Sequence, residues 1–200
     1  MAMNMQTPRQ ILDKFYKDNR LGDDGGQSSS SVKIELAPKI NLYFPNFDSR
    51  RKAVMKHDIH HLLTGYKTTL AGEGAISAWE LASGCWNYKA AFIINLSGLM
   101  LGMLVNPLAV LRAFARGRRT KNLYADPFSN EEALDKPIGE LQALFLLDKF
   151  GIDQKPGFAD VLLLLAFLLL GLVNSLLSLV LLPFLVIYSL YVVISRKGKS

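Results

Sequence analysis

The sequence predicts an all-α protein. A helical domain over 32–157 is preceded by a short helix and linker over 1–31 and followed by a membrane-inserted helical hairpin with a basic tail over 158–200. Three observations predict this. The stretch 161–195 is 35 consecutive uncharged residues, 28 of them apolar, well beyond the ~18 that mark a membrane helix. Before it, apolar residues recur at helical spacing between Gly and Pro punctuation. Outside the apolar run the composition falls to roughly 44% apolar, ordinary for a globular domain. The net charge is +6 and Cys85 is the sole cysteine. These figures exclude a collagen, a coiled-coil rod, a wholly disordered chain and a disulfide scaffold.

In chain order, the first twenty residues hold a short helix with Thr7 as cap, Pro8 in the first turn, and Ile11, Leu12, Phe15 and Tyr16 as its apolar side. They lack the apolar core of a signal peptide, and Asp13 and Asp18 count against an acid-poor transit peptide. The segment 21–31, LGDDGGQSSSS, reads as a flexible linker. Val32, Ile34 and Leu36 alternate with Lys33 and Glu35, the signature of one short strand or extended piece. Helices then follow at 49–64 ending at Gly65, 69–83 ending at Gly84, 90–115 with a break near Pro107, and 137–150 ending at Gly151. No internal repeat is present. The 22 uncharged residues 90–111 are diluted by Asn95, Ser97, Gly98, Gly102, Asn106 and Pro107 and read as a core helix. Its Gly98 and Gly102 have the GxxxG spacing that admits a close neighbour.

As one helix the 161–195 run would be about 52 Å long, against a hydrocarbon thickness near 30 Å. Gly171, Asn174, Ser175 and Ser178 interrupt it, so two short helices, 158–173 and 177–194, are expected to fold back on each other, with Pro183 bending the second; a single tilted span and a buried helix of a soluble protein are the alternatives. A hairpin also puts Arg196, Lys197 and Lys199 on the same side as the basic stretch 112–121, and positive charge marks the cytoplasmic side. The expected location is therefore a membrane, with the helical domain on its cytoplasmic face.

All three histidines, His57, His60 and His61, fall within five residues. On a helix, His57, Asp58 and His61 lie within an arc of about 100° and can converge on one metal ion. Met55, Ile59, Leu62 and Tyr66 form a separate apolar stripe. His60 points away and is expected at the surface or outside the ligand set. A fourth ligand must come from elsewhere, and Glu73 is well placed once the chain turns at Gly65; Glu80 shares its face and could orient the histidines or replace Glu73. Nitrogen and carboxylate donors suit zinc first, with iron(II) or manganese as alternatives. The zinc peptidase motif needs a glutamate where Asp58 stands. A His…His-Asp…Asp phosphohydrolase needs a histidine upstream of His57, and there is none. The bland alternative is a solvated face of two histidines and two acids.

The pattern HDxxH, eleven residues and Glu, in His57-Asp58-Ile59-His60-His61 and Glu73, resembles the coenzyme Q biosynthesis protein 4 family. The likeness extends to Gly72-Glu73 and Trp79-Glu80 and, more loosely, to RGRRTKNLYADPFSNEEALDKPIGELQAL, covering about residues 38–150. The chain departs from the family in reading AVMKHD after Arg50-Arg51-Lys52, where members have Arg-Glu, and in the added 161–195 segment. The resemblance implies a helical protein at a membrane with a divalent metal held by His57, Asp58, His61 and Glu73. It implies a role in ubiquinone or related prenyl-quinone biosynthesis, at ring carbon one of a polyprenylated benzoate, by decarboxylation (a lyase reaction) or hydroxylation. His57 and Asp58 are then the residues on which turnover depends. The implied partners are a prenylated quinone precursor or other isoprenoid lipid, the membrane, other quinone-biosynthesis proteins, and a second copy in a homodimer. The alternative is a non-enzymatic scaffold that binds prenyl lipid around a structural metal. Nucleic acid is not an expected partner: Arg112, Arg116, Arg118, Arg119 and Lys121 sit beside a membrane segment and are expected to face anionic headgroups.

Overall fold

Helix starts are written into the chain as side chains that satisfy otherwise orphaned N–H groups. In the computed structural model, which describes residues 5–26, 28–37, 40–125 and 128–197, Thr7 and Gln10 form a capping box and Pro8 opens α1 (Pro8–Asn19). A two-stranded antiparallel hairpin follows, β1 (Ser31–Ala37) and β2 (Ile40–Pro45), where the alternation of apolar residues suggested a single strand. Then come α2 (Asp48–Thr64), α3 (Leu70–Gly84), α4 (Lys89–Val105), α5 (Pro107–Gly117), α6 (Asn130–Asp135), α7 (Ile138–Leu144) and α8 (Phe158–Lys197). The break near Pro107 is real: Asn106 ends α4 and its side chain accepts from Ala109 N–H to start α5. The Ser129–Glu132 capping box starts α6, an element the periodicity did not reveal. The expected 137–150 helix stops at Leu144, and Leu146 turns the chain with φ +62°.

α3 lies at the centre, with Ala75, Ile76, Ala78, Trp79 and Leu81 all buried. Each large apolar side chain so buried contributes roughly 1.5–3 kcal/mol over the exposed state. Gly74 of α3 and Gly102 of α4 face each other, and a Cβ on either would collide with the other's backbone. Gly98 faces Ser77 in the same seam. The GxxxG spacing therefore serves close α3–α4 packing, as a core helix requires. The other side of α4 exposes Ile93, Ile94, Leu101 and Leu104.

The apolar run is one continuous helix, not a hairpin. Forty residues make α8 about 60 Å long, and it is long and apolar enough to cross a membrane. The residues that read as a break are satisfied inside the helix or by its neighbour. Ser175 and Ser178 hydroxyls donate to carbonyls one turn back, at 2.8 Å each. Asn174 Nδ2 donates to Ser97 Oγ at 3.0 Å, and Gly171 admits Met100 of α4. Near the far end, Ser189 Oγ accepts the Tyr43 N–H at 2.7 Å, so β2 lies along α8.

Much of the basic stretch makes contacts within the domain. Arg118 and Arg119 both pair with the buried Asp160, at 2.7 and 3.0 Å, and so seat the start of α8. Arg116 is buried and donates to the carbonyls of Phe150 and Thr64, while Arg112 pairs with Asp153. Four of the five cations thus hold the domain together; Lys121 is exposed. In the 21–31 segment, Asp24 accepts from Gly26 and Ser28 N–H groups, and Asn46 Nδ2 donates to the Gly26 and Ser29 carbonyls. The described residues of the segment form a turn held against the domain.

Candidate metal centre

His57 and His61 stand one turn apart on α2, so their rings share a side of the helix. Gly65 then stops α2 in the left-handed region, φ +76°, with its N–H on the His61 carbonyl; a residue with a Cβ would be strained there. Thr69 caps α3, and Glu73 comes back in its first turn. The result is a three-residue cluster. His57 Nε2 lies 3.2 Å from Glu73 Oε2, His61 Nε2 lies 3.2 Å from Glu73 Oε1, and the two Nε2 atoms are 3.2 Å apart. Their ligand atoms all fall within 4.8 Å of one another, a set that could hold a metal ion.

The opposite ring nitrogens are engaged. His61 Nδ1 donates to the Tyr66 carbonyl at 2.8 Å, and His57 Nδ1 to Glu80 Oε1 at 2.9 Å. With Nδ1 engaged in this way, Nε2 is the nitrogen that each ring would turn to an ion, the arrangement that orients metal-binding histidines. Glu80 is fully buried and makes three bonds: Oε1 also accepts from His60 Nδ1 at 2.6 Å, and Oε2 accepts from Asn95 Nδ2 at 2.6 Å. Of the two roles open to it in the sequence, it takes the orienting one.

His60 takes the second of the two places the sequence left open to it, outside the ligand set and bonded to Glu80. Far from the surface, it is fully buried between Trp79 and Tyr124, and its Nε2 accepts the Leu123 N–H at 3.0 Å. The helical wheel turned it away from the ligand set correctly, but the 118–125 segment, which folds over that side of α2, is remote in sequence. Lys56 follows the same logic: it is buried, with Nζ donating to the Leu123 and Phe128 carbonyls.

Asp58 does not join the cluster. It is buried beside α1, with Tyr16 hydrogen-bonding its carboxyl and Gly25 close by, and its Oδ2 has no hydrogen-bond partner. One residue after His57 is 100° around the helix, and a short side chain there meets α1 before it can reach Glu73. Burial pushes its pKa up to about 6, against the pull of His57 and His61. Burial opposes charge on His57 as well, yet the Glu80 and Glu73 carboxylates hold its pKa well above the ordinary value. Burial disfavours charge on Glu73 too, but hydrogen bonds from His57 and His61 win and bring it down to about 2. His60 goes the other way, lowered by burial.

The donor set fits a divalent cation: two imidazoles whose Nε2 atoms converge, one ionised carboxylate, and an Asp58 oxygen nearby with no hydrogen-bond partner. A cavity of about 600 Å³ opens from the cluster, lined by His57, Asp58 and Glu73 at one end and by Ile94, Gly98 and Leu101 of α4 along its length. No protein-family model, curated protein or solved structure matches the chain.

Proposed function

We propose that this is a membrane-attached, metal-dependent protein that acts on a prenylated aromatic lipid, within ubiquinone or related prenyl-quinone biosynthesis. The chemistry proposed is at ring carbon one of a polyprenylated benzoate, by decarboxylation or hydroxylation. The observation that carries it is the joining of a His57–His61–Glu73 cluster to an apolar cavity beside a helix able to cross a membrane. The family resemblance of the HDxxH-x11-E pattern supplies the substrate class.

A divalent ion, when bound, supplies Lewis-acid stabilisation of phenolate or carboxylate oxygens. Zinc suits the donors first, with iron(II) or manganese also accommodated. His57, His61 and Glu73 would hold it, with Asp58 the further candidate ligand on the same helix. The chain's own residues do the rest. Glu80 and the Tyr66 carbonyl fix the two rings so that both Nε2 atoms converge on the Glu73 carboxylate. Asp58, holding a proton up to about pH 6, can exchange it at Oδ2 with a group in the cavity. The α4 side chains Ile94 and Leu101 give the path of an apolar tail an apolar wall. Helix α8 keeps this mouth near the lipid in which such tails dissolve.

The test uses the full chain purified in detergent or nanodiscs. Elemental analysis is expected to find about one divalent ion per chain, lost in His61→Ala and Glu73→Gln. Lipid extraction should recover a prenylated ring compound, and a carboxyl-labelled polyprenyl hydroxybenzoate should release labelled CO₂ or be hydroxylated, with His57→Ala and Asp58→Ala inactive. Bound ion and lipid without turnover under any redox condition would leave a scaffold, and no stoichiometric ion would end the reading.

A further inference from the structure

The cavity that starts at His57 and Glu73 continues along α2 to a guanidinium. Arg50 is seven residues before His57, two turns and about 10 Å along the same side of the helix, and both line the cavity. Arg50 is half-buried. Its Nη1 donates to Asn46 Oδ1 at 2.9 Å, and its guanidinium carbon lies 5.6 Å from the centre of the Phe44 ring. No carboxylate lies within ion-pair distance of it among the described residues, Asp58 in the same cavity included.

Six other arginines make the contrast, while Arg20, also without a carboxylate partner among the described residues, is exposed at the end of α1. Arg118 and Arg119 share Asp160, Arg112 has Asp153, Arg51 has Asp48, and Arg9 has Glu131 and Asp135. Arg116, the buried one, is bonded to two backbone carbonyls. Arg50 alone among these is turned into a cavity with most of its donors free, and it is held there by a stacking ring on β2 and by Asn46. Asn46 is in turn fixed by its bonds to Gly26 and Ser29. A planar guanidinium stacked on an aromatic ring and presented from a fixed base matches the two-oxygen edge of a carboxylate or phosphate.

We propose that Arg50 anchors the anionic group, carboxylate or phosphate, of an apolar ligand in this cavity. The apolar body then runs along Ala53 and Val54 of α2 and Ile94 and Leu101 of α4, the remaining walls of the same space. The anchor rests on the reading of the cavity as a lipid site and deepens it, by giving the ligand's anionic group a protein partner at Arg50, about 10 Å along α2 from His57.

The experiment titrates the full chain in nanodiscs with dodecyl phosphate, dodecanoate, dodecanol and inorganic phosphate, by calorimetry below the micellar concentration. Dodecyl phosphate and dodecanoate should each bind at least tenfold more tightly than dodecanol. Inorganic phosphate should compete only weakly, since it lacks the apolar body. In Arg50→Gln the preference for the anions should vanish while dodecanol binding persists, and Arg50→Lys should restore part of it. Equal binding of dodecanol and the anions, or a preference that survives Arg50→Gln, overturns the anchor while leaving the lipid cavity intact. Tight binding of inorganic phosphate alone also overturns it, by removing the need for an apolar body. If none of the amphiphiles binds, the lipid reading itself fails.

Discussion

Replacing Glu80 probes the part of the site that does not touch a metal. The carboxylate is fully buried and accepts from His57 Nδ1, His60 Nδ1 and Asn95 Nδ2 at 2.9, 2.6 and 2.6 Å. Glu80→Leu leaves three buried donors without acceptors. At about 1–3 kcal/mol for each unsatisfied group, partly relieved by repacking, the loss should be about 3–5 kcal/mol. For a chain of this size that lowers Tm by about 6–20 °C. Glu80→Gln should cost less, because Oε1 can still accept from both histidines and Asn95 can flip to offer its oxygen to the new amide. Thermal unfolding followed by circular dichroism in detergent reads both. The pH dependence has a definite sign. Burial disfavours the Glu80 charge, but His57 and His60 hold its pKa well below the ordinary 4.5. Its stabilisation is therefore present above pH 4.5 and is lost as pH falls below it, a limb absent from Glu80→Leu. Because His57 is no longer oriented, metal affinity in Glu80→Leu should fall about 10–100-fold. A Glu80→Leu protein within about 1 kcal/mol of the parent, with unchanged metal affinity, would refute the assignment of Glu80 as the positioning group.

Gly102→Ala should lose about 1–3 kcal/mol by forcing α3 and α4 apart, measured by denaturant unfolding, with Gly151→Ala, where a Cβ meets open space, as the neutral control. Asp160→Asn removes the charge that Arg118 and Arg119 share and should loosen the start of α8, seen as faster proteolysis within residues 151–157; an unchanged cleavage rate would argue against the clamp. Burial pushes the Cys85 thiol up to about 12, so iodoacetamide at pH 8 should label it only after denaturation. The native state holds that proton more tightly than an ordinary cysteine of pKa 9.0. Stability should therefore decline between about pH 9 and pH 12 on this account, and Cys85→Ala should flatten that limb.

Most helix boundaries were legible because the signals are local. Thr7-Pro8, Thr69, Asn106-Pro107 and Gly65 each act within four residues of themselves, and α1 to α5 fall within a residue or two of where those signals put them. The convergence of His57, His61 and Glu73 was legible for a related reason, since one helical turn and one short connection bring them together. The reading failed where a polar residue had more than one way to be satisfied. Asn174, Ser175 and Ser178 look like a break in isolation, yet hydroxyls can return to their own helix and Asn174 can reach Ser97. The arginines of 112–121 look like a surface tract until Asp160, some forty residues later, is placed between two of them.

What the chain alone determined is the helical character, the apolar run and the two imidazoles on one side of α2, because period, capping and composition are properties of neighbours in sequence. What only the tertiary structure decided is which groups lie between helices. Asp58 met α1 instead of the cluster, His60 and Lys56 were closed in by the 118–125 segment, and Glu80 came to link both histidines with Asn95. Those outcomes depend on the crossing of α2, α3 and α4, where a shift of one side chain's length changes every partner, and no local spacing encodes such a crossing.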